Sequence, residues 1–560
     1  MKSITKIVIT TLLVGSSTWV SAAQAGTSGP NSTDAKIQAL EAEIQSLSNQ
    51  VQDLKRSTID QKDQYAEVQK RQAEFQRRQT SAVNVSIDNG RPTITSADGN
   101  FTASIRALSQ LDWGYYSQSA AAATLPTPYG PDLSSGANFR RVYLGIQGKL
   151  FGTWSYNFNY DFGGSGGTET PGHIQSVYLE YDGLGPLAFR IGAFPPPANI
   201  EDGTSAGDTI FLERNAPSDL QRNIAGGDGR DAVTILYTGD SVFGAASFTG
   251  NKIQDGAKAL AAAGATATPN YGEQLAVLGR LSYLPISTAD AHWLVGVNGT
   301  YVIRPPNLVA RGVGTLATTP GATALHTITL SDPPELTIDS NGTLLATTGA
   351  VAASHVSQWG VETAGNFHNY YGQAGYYGFE LDRSPVAYKT FTSATTSGTS
   401  TVQPSNNNFT AWYAQGSWIL TGESKDYSPA TGAFTPPKPA KPFSFNGDGW
   451  GAFELAARYS DLNLNSHAND GSNVVTAWTG ASTKTYTYYN TVRGGDQRIA
   501  TIGLNWYPNT TVRFAVDYEL IQVTRLQTPA TVTTAGTAAL PELNGGQNLQ
   551  AVALRAQVSF

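Results

Sequence analysis

Hydrophobic and polar positions follow two different periods along this chain, seven in the N-terminal part and two in the rest. Counting from Ile37, the first residue of each seven is Ile37, Ile44, Val51, Thr58, Tyr65 or Gln72. The fourth is Leu40, Leu47, Leu54, Gln61, Val68 or Phe75. Six consecutive seam positions are aliphatic, flanked by Glu, Lys, Asp, Arg and Gln, with no Gly or Pro between 34 and 79. This predicts a coiled coil over 34–79, capped at Ser32-Thr33-Asp34. The bland alternative is one amphipathic helix packed on its own domain. Wholly helical, 46 residues reach roughly 70 Å. Ile or Val in first place with Leu in fourth favours two strands, and the polar Thr58, Gln61 and Gln72 weaken that preference. The heptads predict association and leave the number of chains open. The segment's eight acidic and eight basic residues cancel, so charge names no partner for it.

From about Phe101 onward the period is two. Trp154, Tyr156, Phe158, Tyr160 and Phe162 share one phase, and Ser155, Asn157, Asn159 and Asp161 the other. Val512, Phe514, Val516, Tyr518 and Leu520 alternate with Arg513, Ala515, Asp517 and Glu519. The terminal stretch alternates Val552, Leu554, Ala556, Val558 and Phe560 with Arg555, Gln557 and Ser559. Phe101 to Trp113 alternates less cleanly, because Leu108 and Ser109 each fall on the wrong phase. Such dyads fit a sandwich with one wet face or a membrane barrel with a lipid face and a polar lumen. Three features favour the barrel: dyads of nine residues or more, the length of a tilted membrane strand; aromatics near strand ends, as in interfacial girdles; and turns of two sizes. Short turns such as 181–186 and 506–510 alternate with Gly/Thr/Ser/Pro-rich stretches at 257–273, 305–350, 393–408 and 424–447. Short turns on one side and long loops on the other are the asymmetry of an outer-membrane barrel.

The first 25 residues read as an address. Lys2 and Lys6, the apolar run Ile7 to Val14, and Ala23-Gln24-Ala25 before Gly26 compose a secretory signal peptide. Its removal leaves 34 basic and 43 acidic residues. The expected organisation is therefore a signal peptide at 1–25, linkers at 26–33 and 80–100, the coiled coil at 34–79 and a barrel at 101–560.

Composition removes most other chemistry. The 560 residues include no cysteine, which excludes disulfides, Cys-based zinc sites, thiol nucleophiles and iron–sulfur clusters. Only six histidines are present, and no nucleophile elbow or paired-His motif accompanies His173, His292 or His368. We expect no catalytic residue, no metal and no cofactor. Gly226-Gly227-Asp228-Gly229-Arg230 lacks the Lys-Ser/Thr of a phosphate loop and reads as a turn. The acidic balance and the lack of a basic patch disfavour nucleic acid. Charged residues, 14% of the chain, fall well below the ~25% of soluble domains.

Several blocks, in order, resemble the phosphate-selective porin O/P family of the Gram-negative outer membrane. They are Phe139-Arg140-Arg141-Val142-Tyr143-Leu144 with 154–161, then Leu212-Glu213-Arg214-Asn215. Trp412-Tyr413-Ala414-Gln415 leads into Leu420-Thr421-Gly422-Glu423, and Glu454 to Ser460 follows. Gly503 to Tyr507 and the terminal Phe560 close the series. The resemblance implies a 16-stranded antiparallel transmembrane β-barrel, all-β, forming a homotrimer in outer-membrane lipid, with a long loop folded inward. The expected function is passive diffusion of small hydrophilic solutes, phosphate and other anions foremost. Two alternatives stand beside it. One is a general or cation-preferring pore; the other is an envelope tether whose coiled coil reaches through the periplasm to peptidoglycan.

Candidate anion-binding, pore-lining residues are Arg106 and Arg141, on the polar phase of their strands, and Arg304 and Arg311, where the family carries an arginine-bearing segment. Guanidinium forks suit phosphate oxygens. The candidate constriction loop, 194–231, holds Asp208, Glu213, Arg214, Arg222 and Arg230. Seven acids stand there against three arginines, and Gly207 and Asp208 occupy places where a phosphate-selective member is expected to carry lysine. Replacing Arg304 and Arg311 is expected to lower chloride preference, and Asp208→Lys to raise it.

Overall fold

The computed structural model describes residues 32–80, 83–88, 90–118, 132–164, 172–253, 274–308, 325–447, 449–479, 483–526, 532–533 and 544–560. The signal peptide and Arg311 lie outside them. The chain divides into two compact units, 1–81 and 82–560.

The described residues of the first unit form one helix, α1 (Ser32–Thr80), of 49 residues. Its seam side chains Ile37, Leu40, Ile44, Leu47, Val51 and Leu54 are each 49–64% exposed in the single chain. Ser57 and Thr58 return their hydroxyls to Leu54 O, which quiets two polar groups within the helix.

The second unit is a closed antiparallel barrel of 16 strands. They are β1 (Thr102–Gln118), β2 (Gly136–Leu150), β3 (Trp154–Asp161), β4 (His173–Leu184), β5 (Leu187–Ala193) and β6 (Arg230–Thr238). Next come β7 (Val242–Lys252), β8 (Leu275–Ser287), β9 (Ala291–Arg304), β10 (Thr347–Phe367) and β11 (Tyr370–Arg383). The last are β12 (Asn407–Ile419), β13 (Ala452–Ser466), β14 (Val492–Tyr507), β15 (Val512–Leu526) and β16 (Asn544–Ser559). Each pairs with its sequence neighbours, and β16 closes on β1 from Leu549↔Gln118 to Ser559↔Leu108. Closure leaves no unpaired edge, which is what a bilayer demands of a sheet. The stretch read as a linker, 80–100, carries a hairpin, Asn84–Asp88 with Arg91–Thr95, whose second strand pairs with β1.

The dyads turn their apolar phase outward, the reverse of a soluble domain. On β15, Phe514, Val516, Tyr518 and Leu520 are exposed, while Arg513, Ala515, Asp517 and Glu519 are buried. Aromatics cluster at both strand ends: Trp154 packs on Tyr181, and Trp506 stacks between Phe453 and Phe514 at one end. Trp359 with Tyr376 and Trp412 with Tyr459 lie towards the other. These are the girdles expected at the two interfaces. The broken dyad of β1 also resolves. Leu108 faces inward and is buried, and beyond it β2 bulges, pairing Gln110 with Arg141 but Leu111 with Phe139. The extra residue lets the consecutive Arg140 and Arg141 both turn inward.

Connections at one end are two to four residues long, with one exception, and that end also receives both β1 and the C-terminus. Segment 424–447, grouped with the outer loops by its composition, is the exception: it joins β12 to β13 at the short-turn end and folds back into the barrel. Gly, Pro and Thr content marks a loop but does not say on which side it lies; strand count does. Arg280 donates to Thr431 O (3.1 Å) and Gly432 O (2.7 Å), and Phe434 packs on Tyr371. Gly432 has φ +59, and a Cβ there would strike the Phe243 ring, so only glycine lets the backbone come this close.

Candidate functional site

The loop from β5 to β6, 194–229, lies inside the barrel, and its own residues explain its shape. Asn199 caps the one-turn helix α2 (Ile200–Gly203) by accepting from Asp202 N, and its amide donates to Ser218 O and Gln221. Asn215 caps α3 (Ala216–Ala225) by accepting from Ser218 N, with Pro217 in the first turn. The buried face of α3, Leu220 and Ile224, packs into a cluster with Ala276, Leu278, Val302, Tyr377 and Phe379, side chains on the inner face of β8, β9 and β11. On that side the lumen is a hydrophobic core.

Between the two helices the chain runs as a strap, 204–214, held by inward arginines of the last strands. Arg513 donates to Thr209 O and Ile210 O (2.6 Å), Arg555 to Leu212 O, Arg458 to Glu213 O (2.9 Å) and Gln557 to Gly207 O (2.8 Å). Asp517, on the wall, accepts from Leu212 N at 2.8 Å. Glu213 is the hub. Its carboxylate takes Arg140 at 2.5 Å, Arg141 at 3.3 Å and Arg555 at 3.4 Å, and Thr337 Oγ1 at 3.1 Å. Burial alone would raise its pKa; the three guanidiniums override this and hold it well below the usual carboxylate range.

A second inward segment leans on the first. Residues 332–346, from the connection between β9 and β10, place Glu335 against Arg458 at 2.6 Å, with Ala216 N and Ser460 donating to its other oxygen. Glu335 holds φ 57, unusual for a residue with a Cβ, and this three-way attachment maintains it. Leu336 O accepts from Tyr116 and Thr337 O from Asn138, which ties the segment to β1 and β2.

Two cavities open along β1–β5. A cavity of about 200 Å³ lies between the loop and this wall, lined by Arg106, Arg190, Arg214 and Arg222 against Asp202 and Asp228. A second, of about 560 Å³, opens towards the short-turn end and is lined by Arg91, Arg106 and Asp208 with the terminal Phe560. Arg106 and Ser205 line both and mark the junction. Arg222 is paired with Asp202 and Asp228 at 2.5 Å each. Arg190 pairs with Glu180 and lies over the Tyr178 ring at 4.3 Å. Arg214 spends donors on Glu201 O and Thr204 O. Arg106 is half-buried and, among the described residues, makes no hydrogen bond or ion pair. Burial raises the pKa of Asp208, against the pull of Arg106, Arg513, Lys425 and Arg91. Asp228 is held low by Arg222, which overcomes its burial.

The structure thus brings Arg106, Asp208, Arg214 and Arg222 to the passage. It turns Glu213, Arg141 and Arg230 away: Arg141 is consumed by Gln110 and Glu213, and Arg230 by Gly226 O, Gly250 O and Gln274. Arg304 ends β9 on the inward phase of Thr300 and Val302, exposed at the long-loop rim and far in register from the constriction. Gly226 to Arg230 forms a turn, with Gly227 and Gly229 at positive φ. Sequence reasoning missed Arg190, although it sits on the inward phase of β5, and missed the clamp formed by Arg140, Arg458, Arg513 and Arg555. Arg513 and Arg555 were visible on polar phases; nothing local told that they would grip a loop some 300 residues away.

The family model "Phosphate-selective porin O and P" matches residues 125–560. Porin O of Pseudomonas aeruginosa is 24% identical over 441 residues, covering 76% of this chain and 84% of that protein. Among solved structures, an anion-selective porin from Comamonas acidovorans aligns at TM-score 0.42 and 9% identity, over 82% of this chain and 100% of that one. OmpT of Vibrio cholerae aligns at 0.41 and 10%, over 82% and 98%. With more than half of the chain inside one family model and a closed 16-stranded barrel around an inward loop, this outer-membrane pore belongs to the phosphate-selective porin O and P family.

Proposed function

We propose that the barrel conducts small anions by passive diffusion, preferring them to cations at the narrow cavity. The carrying observation is charge: four arginines line that cavity against two aspartates, and Arg106 makes no hydrogen bond or ion pair among the described residues. In a low-dielectric constriction, a surplus of one sign selects the other. A planar-bilayer reversal potential in a potassium chloride gradient tests this; a cation-side potential would refute it.

Asp208 is the opposing charge. Asp208→Lys should shift the reversal potential further to the anion side. Because burial raises its pKa, its negative charge is lost as pH falls through that raised value, so acidification should increase anion preference. Asp208→Asn should flatten that response, and a wild-type potential indifferent to pH would contradict it. Arg304→Ala, at the rim, should move the potential less than Arg106→Ala.

We further propose that α1 associates with copies of itself as a coiled coil in a homotrimer. Six exposed aliphatic side chains on one seam favour this, since burying each is worth about 1.5–3 kcal/mol. Deleting 32–80 should lower the oligomer's resistance to heat and detergent in electrophoresis while single-channel conductance persists. Equal oligomer stability with and without the helix would exclude the role.

A further inference from the structure

We propose that the narrow cavity is built for a small aromatic carboxylate rather than for bare phosphate. This rests on the anion reading above and specifies the solute. The cavity is chemically two-sided. Its charged part offers Arg106, the guanidinium left free, whereas Arg222 and Arg190 are already engaged by Asp202, Asp228 and Glu180. Its apolar part includes half-exposed Tyr178, Pro195 and Pro197, beside the buried Phe194. Tyr178 and Phe194 pack edge to face at 5.6 Å, and the Arg190 guanidinium lies 4.3 and 5.3 Å from their ring centroids, which holds the pair in place.

A phosphate entering here must shed water against rings and prolines that return no hydrogen bond, which costs free energy. A flat hydrocarbon body gains from the same surfaces. One free guanidinium matches one carboxylate in a bidentate fork; of the other arginines lining the narrow cavity, Arg222 and Arg190 face acids and Arg214 spends donors on Glu201 O and Thr204 O. Size agrees. A cavity of about 150 Å³ accepts a benzene ring, and about 200 Å³ leaves room for the ring with its carboxylate.

The test is block of chloride conductance in planar bilayers by benzoate, by acetate, which has the carboxylate without the ring, and by inorganic phosphate. Benzoate should reach half-block at roughly tenfold lower concentration than either of the others. Tyr178→Leu should raise the benzoate half-block concentration about fivefold relative to that for acetate in the same channel. Should that variant not assemble, Pro197→Gly reads the same ratio. Phosphate blocking as well as benzoate, or a benzoate-to-acetate ratio unmoved by these substitutions, overturns the proposal. A cation-side reversal potential of the unaltered channel would instead sink the anion reading beneath it, so the two failures are separable.

Discussion

Glu213→Gln is expected to widen the channel and to destabilise the barrel together. The wild-type carboxylate is shared by Arg140, Arg141 and Arg555, all buried. The amide keeps the shape and removes the charge, leaving three guanidiniums in a low-dielectric site, with Asp112 still on Arg555. Breaking one side of a buried ion network costs about 3–5 kcal/mol. That repulsion should loosen the strap around Glu213, although carbonyl bonds from Arg513 keep Thr209 and Ile210 attached. Single-channel conductance should rise and become noisier, and the heat-induced mobility shift of the barrel should occur at lower temperature. A variant with normal conductance and normal heat resistance would show that Glu213 is dispensable to the constriction. The pH dependence follows in sign. Glu213 has a depressed folded pKa, so its contribution is present above the unfolded value and is lost only as pH falls through the depressed one. Falling pH should therefore discharge Asp208, whose pKa is raised, before it releases the Glu213 clamp.

Arg106→Ala should lower the chloride-to-potassium permeability ratio several-fold with the barrel intact. Arg106 touches both cavities, and no hydrogen bond or ion pair among the described residues depends on it. At an effective dielectric of 20, a unit charge ~7 Å from a passing ion contributes about 2 kcal/mol, and Asp208 offsets part of it. Arg106→Glu should carry the reversal potential to the cation side. Were both variants to keep the wild-type potential, the free guanidinium would have no part in selection. Arg141→Ala is a poor substitute for this test, because it breaks the Glu213 network and confuses selectivity with assembly.

Which arginines are consumed by ion pairs was decided by partners that come from far along the chain. Arg106 and Arg141 look alike in sequence, each inward on neighbouring strands. They differ because the bulge in β2 turns Arg140 and Arg141 together onto Glu213, whereas nothing comparable reaches Arg106. The acid surplus counted for 194–231 misled for the same reason: Glu213 is neutralised by arginines of β2 and β16, and Glu201 is turned into a pocket of Gln373 and Gln415. Charge within a segment says little about charge at a surface once the segment is threaded through a barrel.

The sequence alone determined what depends on local period. Alternation of two placed lipid and lumen faces on β3, β15 and β16, because a strand between lipid and water has no other way to satisfy both sides. The interval of seven set α1 and its seam, since a helix repeats its face every 3.6 residues. Tertiary structure alone decided the lumen. There the folded loop 194–229, the segment 332–346 and the returning 424–447 compete for one interior, and the outcome turns on fitting side chains from distant strands. Apolar inward residues such as Leu278, Val302 and Phe379 break the polar phase because a helix of the loop, not water, faces them. The passage along β1–β5 is the space those contacts leave over, and no repeat in the sequence encodes a remainder.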